Sequence, residues 1–264
     1  MKLSNRLKII LLATIFNLSF EFAFRGFNFL NRPFLVIYLF GMYFTLYLML
    51  EDLIVRFKIN NLQLVLSTLL YGIFPMAFGT GLLFKQPQFL GINWVNLFFI
   101  GFLWWGILQA ILTFYLATRI VKRDWSHPRL GKMGWLAAIG YNLLALRVSK
   151  RINPYLPPVQ PTAYLIFCLI VLGIGVFLWQ SIQKNRKQET WVCEKSIVLD
   201  FLSFGSLVLF LFLGIFITGD GKTDPISLSH LNPLTVRIVN LWTIIYSIIF
   251  LVYRFLVRKK EITA

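Results

Sequence analysis

Acidic residues are scarce in this chain: ten Asp and Glu stand against 26 Lys and Arg, with only two His and two Cys among 264 residues. An intramembrane metal enzyme needs a set of His, Asp and Glu at ligand spacing, and no such set is present. A rhomboid-like serine protease fails on the same inventory, because neither His127 nor His230 falls within an apolar run. Cys168 lies inside an apolar run and Cys193 in a short charged loop. Those different levels keep them from bridging, and neither has a partner at metal spacing. No metal, cofactor or redox role is expected. Charge of either sign is also thin, at 14% of residues against about 25% in soluble domains.

What the chain has instead is apolar length. Hydrophobic residues make up 58%, with a mean hydropathy of +0.74. Runs such as Ala163–Trp179 and Phe201–Ile217 approach the roughly 20 residues that span hydrocarbon. They are continuous rather than alternating, which excludes a transmembrane β-barrel. The expected fold is all-α: a polytopic membrane helix bundle forming a single integral domain over residues 1–264, with no separate soluble domain.

Seven spans stand out, at about Ile9–Phe27, Phe34–Val55, Leu62–Phe84, Ile92–Thr118, Ala163–Ile182, Ser196–Thr218 and Ile238–Leu256. An eighth, Met133–Leu146, is short and interrupted by Asn142. Cytoplasmic loops carry the excess of Lys and Arg. With eight spans and a cytoplasmic N-terminus, 18 of the basic residues fall inside and eight outside. Omitting the short span turns the clusters Lys184–Lys187 and Arg258–Lys260 outward, so eight spans with both termini cytoplasmic is the better arrangement. Its weak point is Arg147, Lys150 and Arg151, left outside; a re-entrant segment buried in protein is the alternative. The same rule accounts for the net charge of +16 without nucleic acid, the basic loops meeting anionic lipid headgroups instead. The Met1–Phe16 segment has the charges of a secretory signal without a cleavage site, and reads as an uncleaved anchor.

Within this apolar chain the polar residues are the informative ones. Thr14, Asn17, Glu21, Arg25 and Asn28 recur every three or four residues and share one face of the first helix. Glu21 is a candidate proton or cation site and Arg25 a candidate anion site; the local alternative is an i,i+4 ion pair with Arg25 reaching the interface. The second span ends with Tyr43, Tyr47 and Glu51 on one face, followed by Asp52. Two carboxylates at a helix C-terminus oppose the macrodipole and call for compensation, most simply Asp52–Arg56 at i,i+4. Asp124 and His127 lie in an interfacial basic loop where Lys122, Arg123 and Arg129 are expected to bind headgroup phosphate. Residues 219–225, with Asp220 and Asp224, fit neither a phosphate nor a calcium loop and read as an outside turn. Milder polar faces recur at Gln109 with Thr113, Ser203 with Ser206, and Asn240 with Thr243 and Ser247. Interhelical hydrogen bonds explain them, or a cavity shared with the first-helix stripe. Glycines at 72, 79 and 81, 101 and 106, and 173 and 175 are expected to admit close helix approach, with Pro75 kinking the third span.

Two classes of function remain. The first is a component of the cytoplasmic membrane, or an equivalent organelle membrane, that moves a small solute or ion through a polar interior, or serves as a subunit or assembly partner of a membrane complex. The second is a lipid-pathway enzyme with an interfacial cytoplasmic site around Asp124 and His127. Glu21→Gln abolishes transport or assembly and spares a headgroup enzyme, and His127→Ala does the reverse; a complementation assay scoring both variants separates the classes, and full activity in both removes both site assignments.

Overall fold

The computed structural model describes residues 4–26, 30–126, 130–152, 159–184, 196–218 and 232–263. Over these residues the chain folds into long helices and no strand. They are α1 (Asn5–Arg25), α2 (Pro33–Phe57), α3 (Asn61–Gly79), α4 (Trp94–Ile120), α5 (Lys132–Ile152), α6 (Pro161–Lys184), α7 (Ile197–Thr218) and α8 (Pro233–Thr263). All but α5, seven in number, are long and apolar enough to cross a membrane. Large apolar side chains cover the outside of the bundle, Leu165, Phe201 and Ile248 among them. Seven such helices with an apolar exterior of this extent suit a hydrocarbon surrounding, and the protein is an integral membrane protein.

Local chemistry sets the helix ends. Pro33 occupies the first turn of α2, where its missing N–H is no loss. Lys58 closes α2 in a left-handed conformation, φ 50°. Asn60 and Gln63 then form a reciprocal capping box that starts α3. Asn93 caps α4 by accepting from the Asn96 N–H at 2.8 Å. α3 ends at Gly79 rather than continuing to Phe84: Pro75 opens a π-helical turn, Pro75–Gly79, and Leu82–Phe84 forms a separate 3₁₀ turn. Pro lacks the N–H that an α-helical continuation requires. π-helical geometry also runs through Leu97–Leu112 of α4 and Leu213–Thr218 of α7.

α1 is the central helix, touching α2, α4, α7 and α8. Phe20 fills the space between α4 and α7, its ring 5.9 Å from Trp104 and 4.7 Å from Phe210. α3 and α4 approach closely through glycine, as the sequence leads one to expect. A Cβ at Gly101 would lie 2.6 Å from Leu69, and one at Gly106 would lie 2.6 Å from Val65. Gly173 and Gly175 behave differently: nothing lies within 4 Å of a Cβ there, so they admit no neighbour among the described residues.

Successive helices alternate in direction. Gln63 at the start of α3 donates to Ser181 near the end of α6, and Thr218 at the end of α7 bonds Thr235 at the start of α8. The Asn5 end of α1 and the C-terminal end of α8 therefore share one end of the bundle, called below the Glu51 end; the other is the Glu21 end.

α5, the least apolar of the eight, lies antiparallel against α2 for most of its length. Trp135 Nε1 donates to Asp52 (2.9 Å), Asn142 Nδ2 to Thr45 (2.9 Å) and Tyr38 to the Ala145 carbonyl (3.1 Å). Tyr38 also meets Ser149, and Tyr71 of α3 donates to Asn142. Fifteen residues of α2 thus face fifteen of α5, about 21 Å of helix at 1.5 Å per residue step. A segment dipping into the membrane and returning would not keep this register. Asn142, which interrupts the run in sequence, supplies two of the bonds that hold the helix in place.

Asn142→Leu forfeits both interhelical bonds and lowers unfolding free energy by about 1 kcal/mol, taking ~0.6 kcal/mol for each bond. Leu143→Ala on the exposed face changes it little; equilibrium unfolding in bicelles measures both.

Candidate functional site

Among the described residues the charged side chains lie toward the two ends of the bundle, and the internal ones form ion pairs there. At the Glu21 end, Arg25 Nε lies 2.7 Å from Glu21, the local pair expected from their spacing, and Tyr43 of α2 donates to the other Glu21 oxygen. Arg25 Nη1 is buried with no hydrogen-bond partner. Thr14 is satisfied by the Ile10 carbonyl at 2.8 Å. Asn28 lies outside the described residues.

At the Glu51 end, α4 stops at Ile120 and the chain turns extended at Val121. That brings Arg123 back beneath α2, where its guanidinium holds Glu51 through contacts of 2.9 and 3.1 Å. Both side chains are 1% exposed. Arg123 also stacks over Phe114 and Trp125, 5.5 Å from each ring centroid. Grouped in sequence with Lys122 and Arg129 as a headgroup cation, Arg123 instead faces the protein interior, while Lys122 is exposed. Sequence gives Glu51 no neighbour to pair with, because its partner is 72 residues away.

Asp52 is a second buried hub. It takes Arg56 at 2.9 Å, the i,i+4 partner expected, and adds two donors from beyond α4: the Leu130 N–H (3.2 Å) and Trp135 Nε1 (2.9 Å). The adjacent carboxylates at this helix end thus have a guanidinium each. Arg119 reaches Asp200 on α7 with Nε at 2.7 Å, and Tyr115 donates to the same carboxylate at 2.6 Å. Arg6 Nε donates to the Asp124 carbonyl at 2.9 Å, tying α1 to the loop. The Asp124 carboxylate accepts from the Ser126 N–H and hydroxyl, a local turn. His127, Arg129, Cys193, Asp220, Asp224 and His230 lie outside the described residues. Among the described residues no three His, Cys, Asp or Glu side chains gather as a metal site.

Between the two charged ends the polar groups are neutral. Tyr47 donates to the Gln109 carbonyl and accepts from Thr113, both at 3.0 Å. Tyr43, Tyr47 and Glu51, one face of α2, thereby contact α1, α4 and the loop after α4 in turn.

A second neutral group has no such satisfaction. Both polar atoms of Asn17, Gln109 Oε1 and Ser247 Oγ are buried without a hydrogen-bond partner, and beside them the buried hydroxyls of Ser203 and Tyr246 have only each other. Each residue is at most 2% exposed. They come from α1, α4, α7 and α8, and every pair of these four helices is in contact. Arg6 meets Asp124 at one end of the α1–α4 contact and Phe20 meets Trp104 at the other, which puts Asn17 beside the Gln109 turn. Phe210 lies beside Phe20, placing Ser203 and Ser206 about two turns or less toward the Glu51 end. Trp242 Nε1 donates to Ser206 at 2.8 Å, bringing Tyr246 and Ser247 to the same level. The unsatisfied groups therefore form one layer about two helical turns thick. Ser206 and Thr243 are satisfied by backbone carbonyls. Asn240 is exposed and does not join them, so only part of the face expected from Asn240, Thr243 and Ser247 is internal.

Leaving a buried polar group unpaired costs about 1–3 kcal/mol. Several in one layer is a substantial price for a bundle that could hold Leu at each position. Two cavities elsewhere contain none of the residues discussed: one of about 330 Å³ near Lys85, Gln86, Gln88 and Gln160, and an apolar groove near Trp94, Phe98 and Phe102.

The fold and its buried charge define a polytopic α-helical membrane protein. No protein family, curated protein or solved structure matches the chain.

Breaking the Glu51–Arg123 pair from one side strands a buried charge, so Glu51→Leu lowers stability by about 3–5 kcal/mol. Adding Arg123→Met to it restores most of the loss. Thermal unfolding of the two variants in detergent reads this coupling, and equal losses in both would contradict it.

Proposed function

We propose that this integral membrane protein is a transport component that passes a small polar solute through the sub-bundle of α1, α4, α7 and α8. The carrying observation is the layer of buried polar groups in which Asn17, Gln109 Oε1 and Ser247 have no partner and Ser203 and Tyr246 have only each other. Intramembrane polar groups that face the interior of a bundle mark substrate pathways, and solute sites lie near the membrane midplane. The protein forms one integral domain in the cytoplasmic membrane, or its organelle equivalent, with the Glu51 end on the cytoplasmic side. The basic residues support this orientation: Arg6, Arg56, Arg119 and Arg123 all gather at the Glu51 end. Lys122, exposed there, would meet anionic headgroups.

A subunit role is the second reading, favoured by α6. It has the smallest buried share of the seven apolar helices and packs mainly on α3, leaving Leu165, Leu169, Leu172, Val176 and Trp179 exposed along one side. The lipid-enzyme reading is weaker, since Arg123 is engaged by Glu51 and the Asp124 carboxylate by Ser126.

Reconstitution into vesicles tests the transport reading. Osmotic shrinkage and ion-sensitive dyes should report flux above protein-free vesicles for at least one small solute. Asn17→Leu combined with Gln109→Leu should return it to background while the protein still elutes as a single species. Background flux for every solute with the wild-type protein would sink transport and leave the subunit role.

A further inference from the structure

The chemistry of the unpaired layer narrows what can occupy it, granted that the layer is the solute pathway. On α1 no Asp, Glu, Lys, Arg or His falls between Ile9 and Phe20; on α4 none falls between Trp94 and Thr118. The same holds for Phe201–Thr218 of α7 and Ile238–Tyr253 of α8. The charges that flank the layer are already paired: Glu21 with Arg25 and Tyr43, and Asp200 with Arg119 and Tyr115. An ion entering the layer would lose its hydration and meet no countercharge.

The unpaired atoms themselves are all uncharged. Asn17 offers two N–H donors and a carbonyl acceptor, Gln109 a carbonyl acceptor and Ser247 a hydroxyl that donates and accepts, while the Ser203–Tyr246 hydroxyl pair keeps one donor beyond the bond between them. One water satisfies two to four such groups. A small amide such as urea, with donors and an acceptor in one plane, matches the same set.

We propose that Asn17, Gln109, Ser203, Tyr246 and Ser247 form a binding site for uncharged hydrogen-bonding molecules: water in the resting protein, and a small neutral amide or polyol as the solute. Tyr47 provides an internal comparison. It is as buried as Tyr246, but its hydroxyl both donates, to the Gln109 carbonyl, and accepts, from Thr113, whereas the Tyr246 hydroxyl meets that of Ser203.

X-ray radiolytic footprinting of the purified protein tests the site without relying on transport, because hydroxyl radicals generated from bound water oxidise the side chains beside it. Tyr246 should be oxidised and Tyr47 protected. Ser203→Ala with Ser247→Ala should reduce Tyr246 oxidation in protein that keeps its helix content and elution volume. Vesicle assays with urea, glycerol, sodium, chloride and protons complete the test, the expected result being flux of the neutral solutes and none of the ions. Protection of Tyr246 equal to that of Tyr47 overturns the proposal, as does ion flux that Asn17→Leu abolishes; the latter leaves transport standing. Oxidised Tyr246 with no flux of any solute supports the hydrated neutral site and removes the transport reading.

Discussion

The Glu51–Arg123 ion pair holds the Glu51 end of the bundle together. A carboxylate and a guanidinium taken out of water each carry a large desolvation penalty, offset only by good mutual geometry and complete hydrogen bonding. The fork of Arg123 meets both Glu51 oxygens, and two aromatic faces cover its plane. Because the penalty is recovered only in this arrangement, the pair fixes where the chain leaving α4 must go. That path carries Asp124 to Arg6 of α1, and Leu130 and Trp135 to Asp52. The position of α5 follows from this chain of contacts.

α5 illustrates the difference between inserting in a membrane and being held in one. Its composition alone does not reach the apolarity of the other helices. Trp135, Asn142 and Ser149, however, face α2 and α3 rather than lipid, and each finds a partner there. A polar residue in hydrocarbon is unfavourable only while it is unpaired. A hydropathy window sees the residue and not the partner, which is why this segment looks ambiguous when its sequence is read alone.

The same limit explains which parts of the site were legible in the sequence. Glu21–Arg25 and Asp52–Arg56 are readable because helix geometry fixes neighbours four residues apart. Glu51–Arg123 and Asp200–Arg119 join residues 72 and 81 positions apart, and no local rule connects them. Arg123 reads as a headgroup ligand because its immediate neighbours are basic and interfacial; only the turn after Ile120 reveals that it points inward. The helix count, the α3–α4 glycine contacts and the buried stripe from Thr14 to Arg25 follow from periodicity. The exposure of Asn240 and the open space beside Gly173 and Gly175 depend on which helices become neighbours.

The unpaired layer is hard to explain as structural glue. Glue requires partners, and the satisfied polar residues of this bundle show what that looks like: Tyr47 with Thr113, Trp242 with Ser206, Asn142 with Thr45. Asn17 has neither of its polar atoms paired, although it lies on the helix that touches α2, α4, α7 and α8. Leucine there would gain packing and lose no hydrogen bond, so stability alone favours replacing it. Sequences break local rules of this kind chiefly where function requires it. Placing all the charge at the two ends and paired neutral groups around a neutral, unpaired centre gives a membrane interior that is polar without being charged, which is the physical condition for admitting hydrogen-bonding molecules while holding back ions.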